Sequence, residues 1–204
     1  MRNPPTQTEY PYDLGSFGRQ ITTNSPEAQT WFNRGLTWAY TFNHKESAAC
    51  FEKAIARDES CAMAYWGLAY ATGPNYNQPW HFFGAGLKLV VESTYHAARK
   101  AQSLATNASA IEQARIAAIQ ARFRSDQLAE MEQYAAQNQA YADAMGAAYE
   151  KFSDDLDVAT LYADALISLT PWNLWDLATG KPNPGTRTLD AKRVLESNPL
   201  TKST

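Results

Sequence analysis

Apolar residues recur at three- and four-residue steps along most of this chain, and that spacing limits the possible folds more than any other feature. Leu87, Val91 and Thr94 show the pattern in one stretch, and Val158 and Leu161 show it in another. Such steps place the residues on one face of an α-helix. No stretch has the alternation of apolar and polar residues that is typical of strands. The sequence therefore predicts an all-α chain.

Caps and breakers divide the chain into separate helices. The run 25–27, Ser-Pro-Glu, has the serine, proline and acid that are typical of a helix start, and Ser109 with Glu112 fits a capping box. Pro171 ends a helix because proline lacks the N–H group that a helix interior requires. The predicted helices span residues 26–42, 46–57, 62–71, 87–101, 109–123, 128–152, 158–169 and 187–197.

Two aromatic loops interrupt the helical pattern. Residues 73–80 contain two prolines, a glycine and two asparagines, and residues 170–186 contain two tryptophans and two glycines. Neither composition can continue a helix. We predict an irregular amino-terminal segment at residues 1–23, one helical domain at 24–197 and a short tail at 198–204.

The aromatic residues Trp31 and Tyr65 stand 34 positions apart, which indicates an internal repeat. Gly35 lies one helical turn after Trp31, and a residue without a side chain there lets Phe51 of the next helix approach closely. These offsets resemble the tetratricopeptide repeat, a helix–turn–helix unit of the same period. The second unit fits less well, because the loop at 73–80 displaces its second helix.

The amino-acid sequences of several segments resemble those of one family of tetratricopeptide-domain proteins of bacteria and fungi. The similar segments are residues 25–36, 42–46, 61–67, 73–77 and 170–175. The resemblance implies antiparallel helix pairs in an irregular right-handed solenoid, and it brings no settled biochemical activity. Members of the family usually continue into further helices with a histidine-bearing segment. The resemblance therefore implies an amino-terminal portion or a short version of such a protein.

Composition and charge limit the classes of molecule that the protein is expected to bind. The 21 acidic and 18 basic residues give a net charge of −3, and no cluster of lysine and arginine predicts binding to nucleic acid. No apolar run is long enough for a membrane span, and residues 1–12 do not fit a secretory signal. Cys50 and Cys61 match no zinc or redox spacing and are typical of a reducing compartment. We expect a cytoplasmic protein that binds neither nucleic acid nor membranes.

The preferred hypothesis is a protein–protein interaction module without catalytic activity, which binds a protein or peptide in a groove lined by the first helix of each pair. Aromatic residues in the two loops can anchor such a partner. Equally, they can fill gaps where helix pairs meet irregularly. The candidate partner-binding residues are Asn33, Thr37, Thr41, Asn75, Tyr76, Asn77, Trp80, Trp172 and Trp175.

The alternative hypothesis is a metal-dependent enzyme, or an amino-terminal fragment of one. Its site would include His44 and the loop at 75–81, with His81 as a second ligand of a divalent metal. The simpler interpretation of His44 is a helix-start residue whose imidazole caps backbone groups. Apart from that metal, the sequence predicts no cofactor, because it has no phosphate-binding glycine loop and no dinucleotide fingerprint.

Overall fold

A computed structural model describes residues 10–197 of the chain. Within that range the fold is all-α, as predicted. One correction concerns the second aromatic loop, which holds a short antiparallel ribbon of β1 (Trp175–Asp176) and β2 (Lys181–Pro182). The helices are α1 (Pro26–Tyr40), α2 (His44–Arg57), α3 (Ala62–Thr72), α4 (Leu87–Leu104), α5 (Ala110–Arg122), α6 (Met131–Lys151), α7 (Leu156–Ile167) and α8 (Thr188–Glu196).

The predicted helix starts follow from local capping. The Ser25 hydroxyl accepts a hydrogen bond from the N–H of Ala28, with proline at the first helical position. Ser109 and Glu112 form the reciprocal bonds of a capping box at α5. Helix α2 begins at His44, two residues earlier than predicted, because the Asn43 side chain caps it. These caps satisfy N–H groups that a helix end leaves without a partner.

The helices pack in chain order. Each helix from α1 to α7 contacts the one that follows it, and α3 also contacts both α1 and α5. No helix among the described residues is both long and apolar enough to cross a membrane.

Phe51 of α2 packs between two glycines, as expected for Gly35. A Cβ atom added at Gly35 of α1 would lie 2.8 Å from the Phe51 ring, and one added at Gly67 of α3 would lie 2.3 Å from it. Both distances are shorter than real carbon contacts. Phe51 is fully buried there, so these two glycines set how closely the first three helices approach.

The part of the amino-terminal segment within residues 10–23 contains no helix or strand and lies along α1. The Tyr10 ring meets Trp31 edge to face at 5.3 Å, and its hydroxyl accepts a hydrogen bond of 2.7 Å from Trp38 Nε1. Farther along, the Thr22 hydroxyl donates to Glu112 of α5 at 2.6 Å. The segment therefore bridges helices that are distant in sequence. Residues 1–9 and the predicted tail at 198–204 lie outside the described residues.

Candidate functional site

The two aromatic loops meet in space. The rings of Tyr76 and Trp172 stack with centroids 6.2 Å apart and planes within 10° of parallel. Trp172 is 65% exposed, and Tyr76 is half-buried. Trp175, three residues farther along the same loop, is also exposed. We call Tyr76, Trp172 and Trp175 the aromatic surface.

Asn75 gives the first loop its shape. Its side-chain oxygen accepts hydrogen bonds from the N–H groups of Asn77 at 2.9 Å and Gln78 at 3.0 Å. The Asn75 side chain is buried, whereas Asn77 is exposed. Asn75 thus holds the turn that positions Tyr76, as asparagine commonly does in turns, and only Asn77 can reach a partner.

The second loop is fixed by hydrogen bonds to the two residues that follow Trp172. The amide of Asn183 donates to the Asn173 side chain at 2.7 Å, and Thr188 of α8 donates to the Leu174 carbonyl at 3.1 Å. Trp172 itself has φ +67°, in the left-handed region that residues other than glycine seldom adopt. An exposed aromatic ring is therefore held on a strained backbone, and such strain often marks binding sites.

Trp80 does not belong to the aromatic surface. It is 4% exposed, and its ring stacks on Tyr134 of α6 with centroids 4.4 Å apart. Phe123 meets the same ring edge to face. Trp80 therefore fills a gap between helices, which is the structural role that sequence analysis left open for the aromatic loop residues.

The three polar candidates on α1 and at its C-cap occupy different environments. The Asn33 side-chain oxygen accepts a hydrogen bond from the Arg19 N–H at 3.0 Å, so the amino-terminal segment already occupies this residue. The Thr37 hydroxyl donates to the Asn33 carbonyl, and Thr41 donates back to the Thr37 carbonyl. Only Thr41 is exposed. The amino-terminal segment thus contacts this face of α1 at Asn33 and leaves Thr41 exposed.

Four polar contacts join α7 and its N-cap residue Asp155 to the rest of the chain. The Tyr40 hydroxyl of α1 donates to Asp157 Oδ1 at 2.6 Å. Arg19 pairs with Asp157 Oδ2 at 3.0 Å and with Asp155. Near the other end of α7, the Tyr70 hydroxyl of α3 donates to Asp164 at 3.1 Å. These contacts hold the first, third and seventh helices together.

Residues of α2, α5, α6 and α7 form a polar cluster, of which sequence analysis singled out only His44. We define it as His44, Arg115, Arg122, Tyr141 and Asp164. Arg115 and Arg122 are 1% and 2% exposed, and their guanidinium groups lie over aromatic rings at 4.1 and 5.0 Å. The one available signal is their spacing of seven on α5, which places both on the same helical face.

Burial perturbs the titration of this cluster. It lowers the pKa of His44, and the nearby Arg122 charge lowers it further. Burial raises the pKa of Asp164, against the opposing effect of Arg122. It also raises the pKa of Tyr141. Groups perturbed in this way are more frequent at functional sites than elsewhere, although structural networks perturb them too.

The two candidate metal ligands lie in unlike environments. His44 is the first residue of α2, as the simpler interpretation has it. Both of its ring nitrogens are buried without a hydrogen-bond partner, so the expectation that the imidazole caps backbone groups is wrong. His81 is exposed and packs its ring edge to face against Phe82 at 4.6 Å. Within residues 10–197, no group of three or more histidine, cysteine, aspartate and glutamate side chains is arranged to hold a metal.

A cavity of about 420 Å³ lies beside the first turns of α3 and α5, with Asp58 and Glu112 in its lining. Glu112 accepts hydrogen bonds from Thr22 and Ser109, and these bonds lower its pKa against the effect of burial. Asp58 accepts bonds from Thr23 and Ser60. Both carboxylates thus accept hydrogen bonds that stabilise the fold.

Comparison with known proteins finds no relative of this chain. The chain matches no protein-family model, no curated protein and no solved structure. Any functional inference therefore rests on the residues described above.

Proposed function

We propose that the protein is a tetratricopeptide-like interaction module that binds an extended peptide segment of a partner through the aromatic surface. The arrangement of the helices supports the first part of this proposal. Successive helices pack in order, and α3 also touches both α1 and α5, as in stacked helix pairs. Phe51 between Gly35 and Gly67 supplies the close packing that the repeat requires.

The observation that carries the binding proposal is the stack of Tyr76 on Trp172. Two loops that are far apart in sequence bring large rings together and leave one of them 65% exposed. Tyrosine and tryptophan offer large contact areas at a low cost in conformational entropy. Flat, uncharged ring faces suit proline and aliphatic side chains, which extended peptides present to aromatic grooves.

Selection from a displayed peptide library tests this proposal. We expect the wild-type chain to enrich extended peptides containing proline or aliphatic residues. A Trp172→Asn variant should fail to retain them, and asparagine is chosen because it tolerates the left-handed backbone at this position. Leu156→Ala is the matched control, because Leu156 is an exposed apolar residue at the opposite end of α7.

Two results would contradict the binding proposal. One is a folded wild-type chain that enriches no peptide. The other is equal retention of the selected peptides by Trp172→Asn and Leu156→Ala, since binding would then not depend on the aromatic surface.

The second candidate function is the metal-dependent enzyme, and one observation favours it. The His44 imidazole is buried with both nitrogens unbonded, and its lowered pKa favours the neutral form that binds metals. Elemental analysis after dialysis against zinc tests this candidate. One bound equivalent that His44→Ala abolishes would support it, and equal zinc content in the two proteins would contradict it.

A further inference from the structure

Two arginines in the interior of the described part of the chain form no salt bridge. Arg115 and Arg122 are nearly fully buried. Within the described part of the chain, neither forms an ion pair with an acidic side chain. Removing a guanidinium from water is costly unless an anion and hydrogen-bond acceptors replace the solvent. The two buried guanidinium charges therefore require a compensating group.

The acidic residues nearby are engaged elsewhere. Asp157 accepts hydrogen bonds from Tyr40 and Arg19. Asp164 accepts a bond from Tyr70, and burial raises the pKa of its carboxyl group. Asn138 supplies one neutral acceptor, to Arg122 Nε at 3.0 Å. Arg115 is thus the less well compensated of the two arginines.

The buried polar atoms around Arg115 that lack a hydrogen-bond partner are mainly donors. Arg115 Nε and Nη2 are buried without an acceptor, and so is the indole nitrogen of Trp66, whose ring lies 4.1 Å from the guanidinium carbon. The buried Tyr141 hydroxyl also has no partner. The Arg122 guanidinium lies 5.0 Å from the centre of the Tyr141 ring, and Arg115 lies two turns from Arg122 on the same face of α5.

We propose that this part of the interior is a binding site for a small oxyanion, which Arg115 holds together with Trp66 Nε1 and the Tyr141 hydroxyl. The chemical class is a phosphate, sulfate or carboxylate group, whose oxygens match the fixed fork of guanidinium donors. The donor atoms are shielded from solvent in the closed array, so the anion enters only when neighbouring side chains separate. This site goes beyond the peptide-binding proposal and does not depend on it.

Thermal unfolding in increasing inorganic phosphate, at constant ionic strength, tests the site. We expect the wild-type melting temperature to rise by at least about 5 °C once phosphate exceeds its Kd a hundredfold, and to keep rising with the logarithm of the phosphate concentration. Arg115→Met should lose this rise, and methionine is chosen because apolar replacements of buried ions are usually tolerated. Arg193→Met, which removes an exposed arginine of α8, should keep it.

General stabilisation by phosphate would act on all three proteins alike, so Arg115→Met would show it as well. Equal shifts in Arg115→Met and the wild type would therefore overturn the proposal. Calorimetric titration of the wild type with phosphate gives a readout that needs no variant: one saturable site supports the proposal, and no saturable binding of phosphate, sulfate or acetate overturns it. Acetate in a parallel titration separates a preference for carboxylates from one for phosphate.

The two proposals can fail separately. Trp172→Asn should bind phosphate like the wild type, because its ring belongs to the aromatic surface and not to the cluster around Arg115. Loss of peptide binding with phosphate binding intact would leave the oxyanion site standing.

Discussion

The Tyr40 hydroxyl donates a hydrogen bond of 2.6 Å to the Asp157 carboxylate, and this bond joins the first helix of the array to the seventh. Arg19 of the amino-terminal segment donates to the same carboxylate at 3.0 Å. Three parts of the chain that are far apart in sequence therefore meet at one acidic side chain.

Removing the Tyr40 hydroxyl should weaken this junction. We expect Tyr40→Phe to lower the free energy of unfolding by about 2 kcal/mol, the typical contribution of a hydrogen bond to a charged group. Tyr12→Phe, at an exposed tyrosine, is the control and should change little. Urea unfolding measures both. Equal stability of the two variants would show that the bond contributes nothing.

The left-handed residue after α1 costs stability. Phe42 has φ +63°, and Asn43 beside it donates its N–H to the Trp38 carbonyl, as in helix ends that usually contain glycine. Phe42→Gly should therefore raise the free energy of unfolding by about 1 kcal/mol. Thr41→Gly, at a neighbouring residue with negative φ, should lower it. Thermal unfolding of the two variants in parallel checks the signs, and stabilisation by both would refute this explanation.

The packing of Phe51 predicts a large effect at Gly67. A methyl group there would overlap the Phe51 ring, so Gly67→Ala should lower the free energy of unfolding by about 2 kcal/mol. Gly86→Ala is the matched control, because Gly86 has negative φ and no atom near the position of the added carbon. Chemical unfolding compares the two. A tolerated Gly67→Ala would mean that Phe51 can move aside.

The buried His44 makes stability depend on pH. Its pKa is lowered in the folded state, by burial first and by the Arg122 charge second, so the folded chain binds fewer protons than the unfolded chain just below neutrality. Its contribution is therefore complete above the unfolded pKa of about 6.5 and is lost as the pH falls below that value.

Unfolding free energies measured between pH 8 and pH 5 check this sign. We expect the wild type to lose stability on acidification more steeply than His44→Leu, while His81→Gln, which removes an exposed imidazole, should follow the wild type. Identical slopes for the wild type and His44→Leu would exclude a contribution from His44.

The helices were predictable because their signals are local. Ser25 and Ser109 cap the helices that follow them within a few residues, and Gly35 signals close packing by its lack of a side chain. Helix α2 begins two residues before its predicted start, because the Asn43 side chain caps it.

The candidate site was predictable only in part. Composition identified both aromatic loops, but the contact between Tyr76 and Trp172 depends on how the intervening helices pack. Composition also failed to separate exposed Trp172 from buried Trp80, since both are tryptophans in loops rich in proline. Arginines such as Arg115 are expected on a solvated face, so only the packed structure shows that the charge is buried.

The central claim is that Tyr76 and Trp172 form one binding surface, and the affinity of a selected peptide for single and double variants tests it most directly. We predict that Tyr76→Ala and Trp172→Asn each weaken binding by about 30-fold or more. The double variant should lose less than the product of the two effects, because the stacked rings act together. Unchanged affinity in both single variants, with Leu156→Ala also unchanged, would contradict the account.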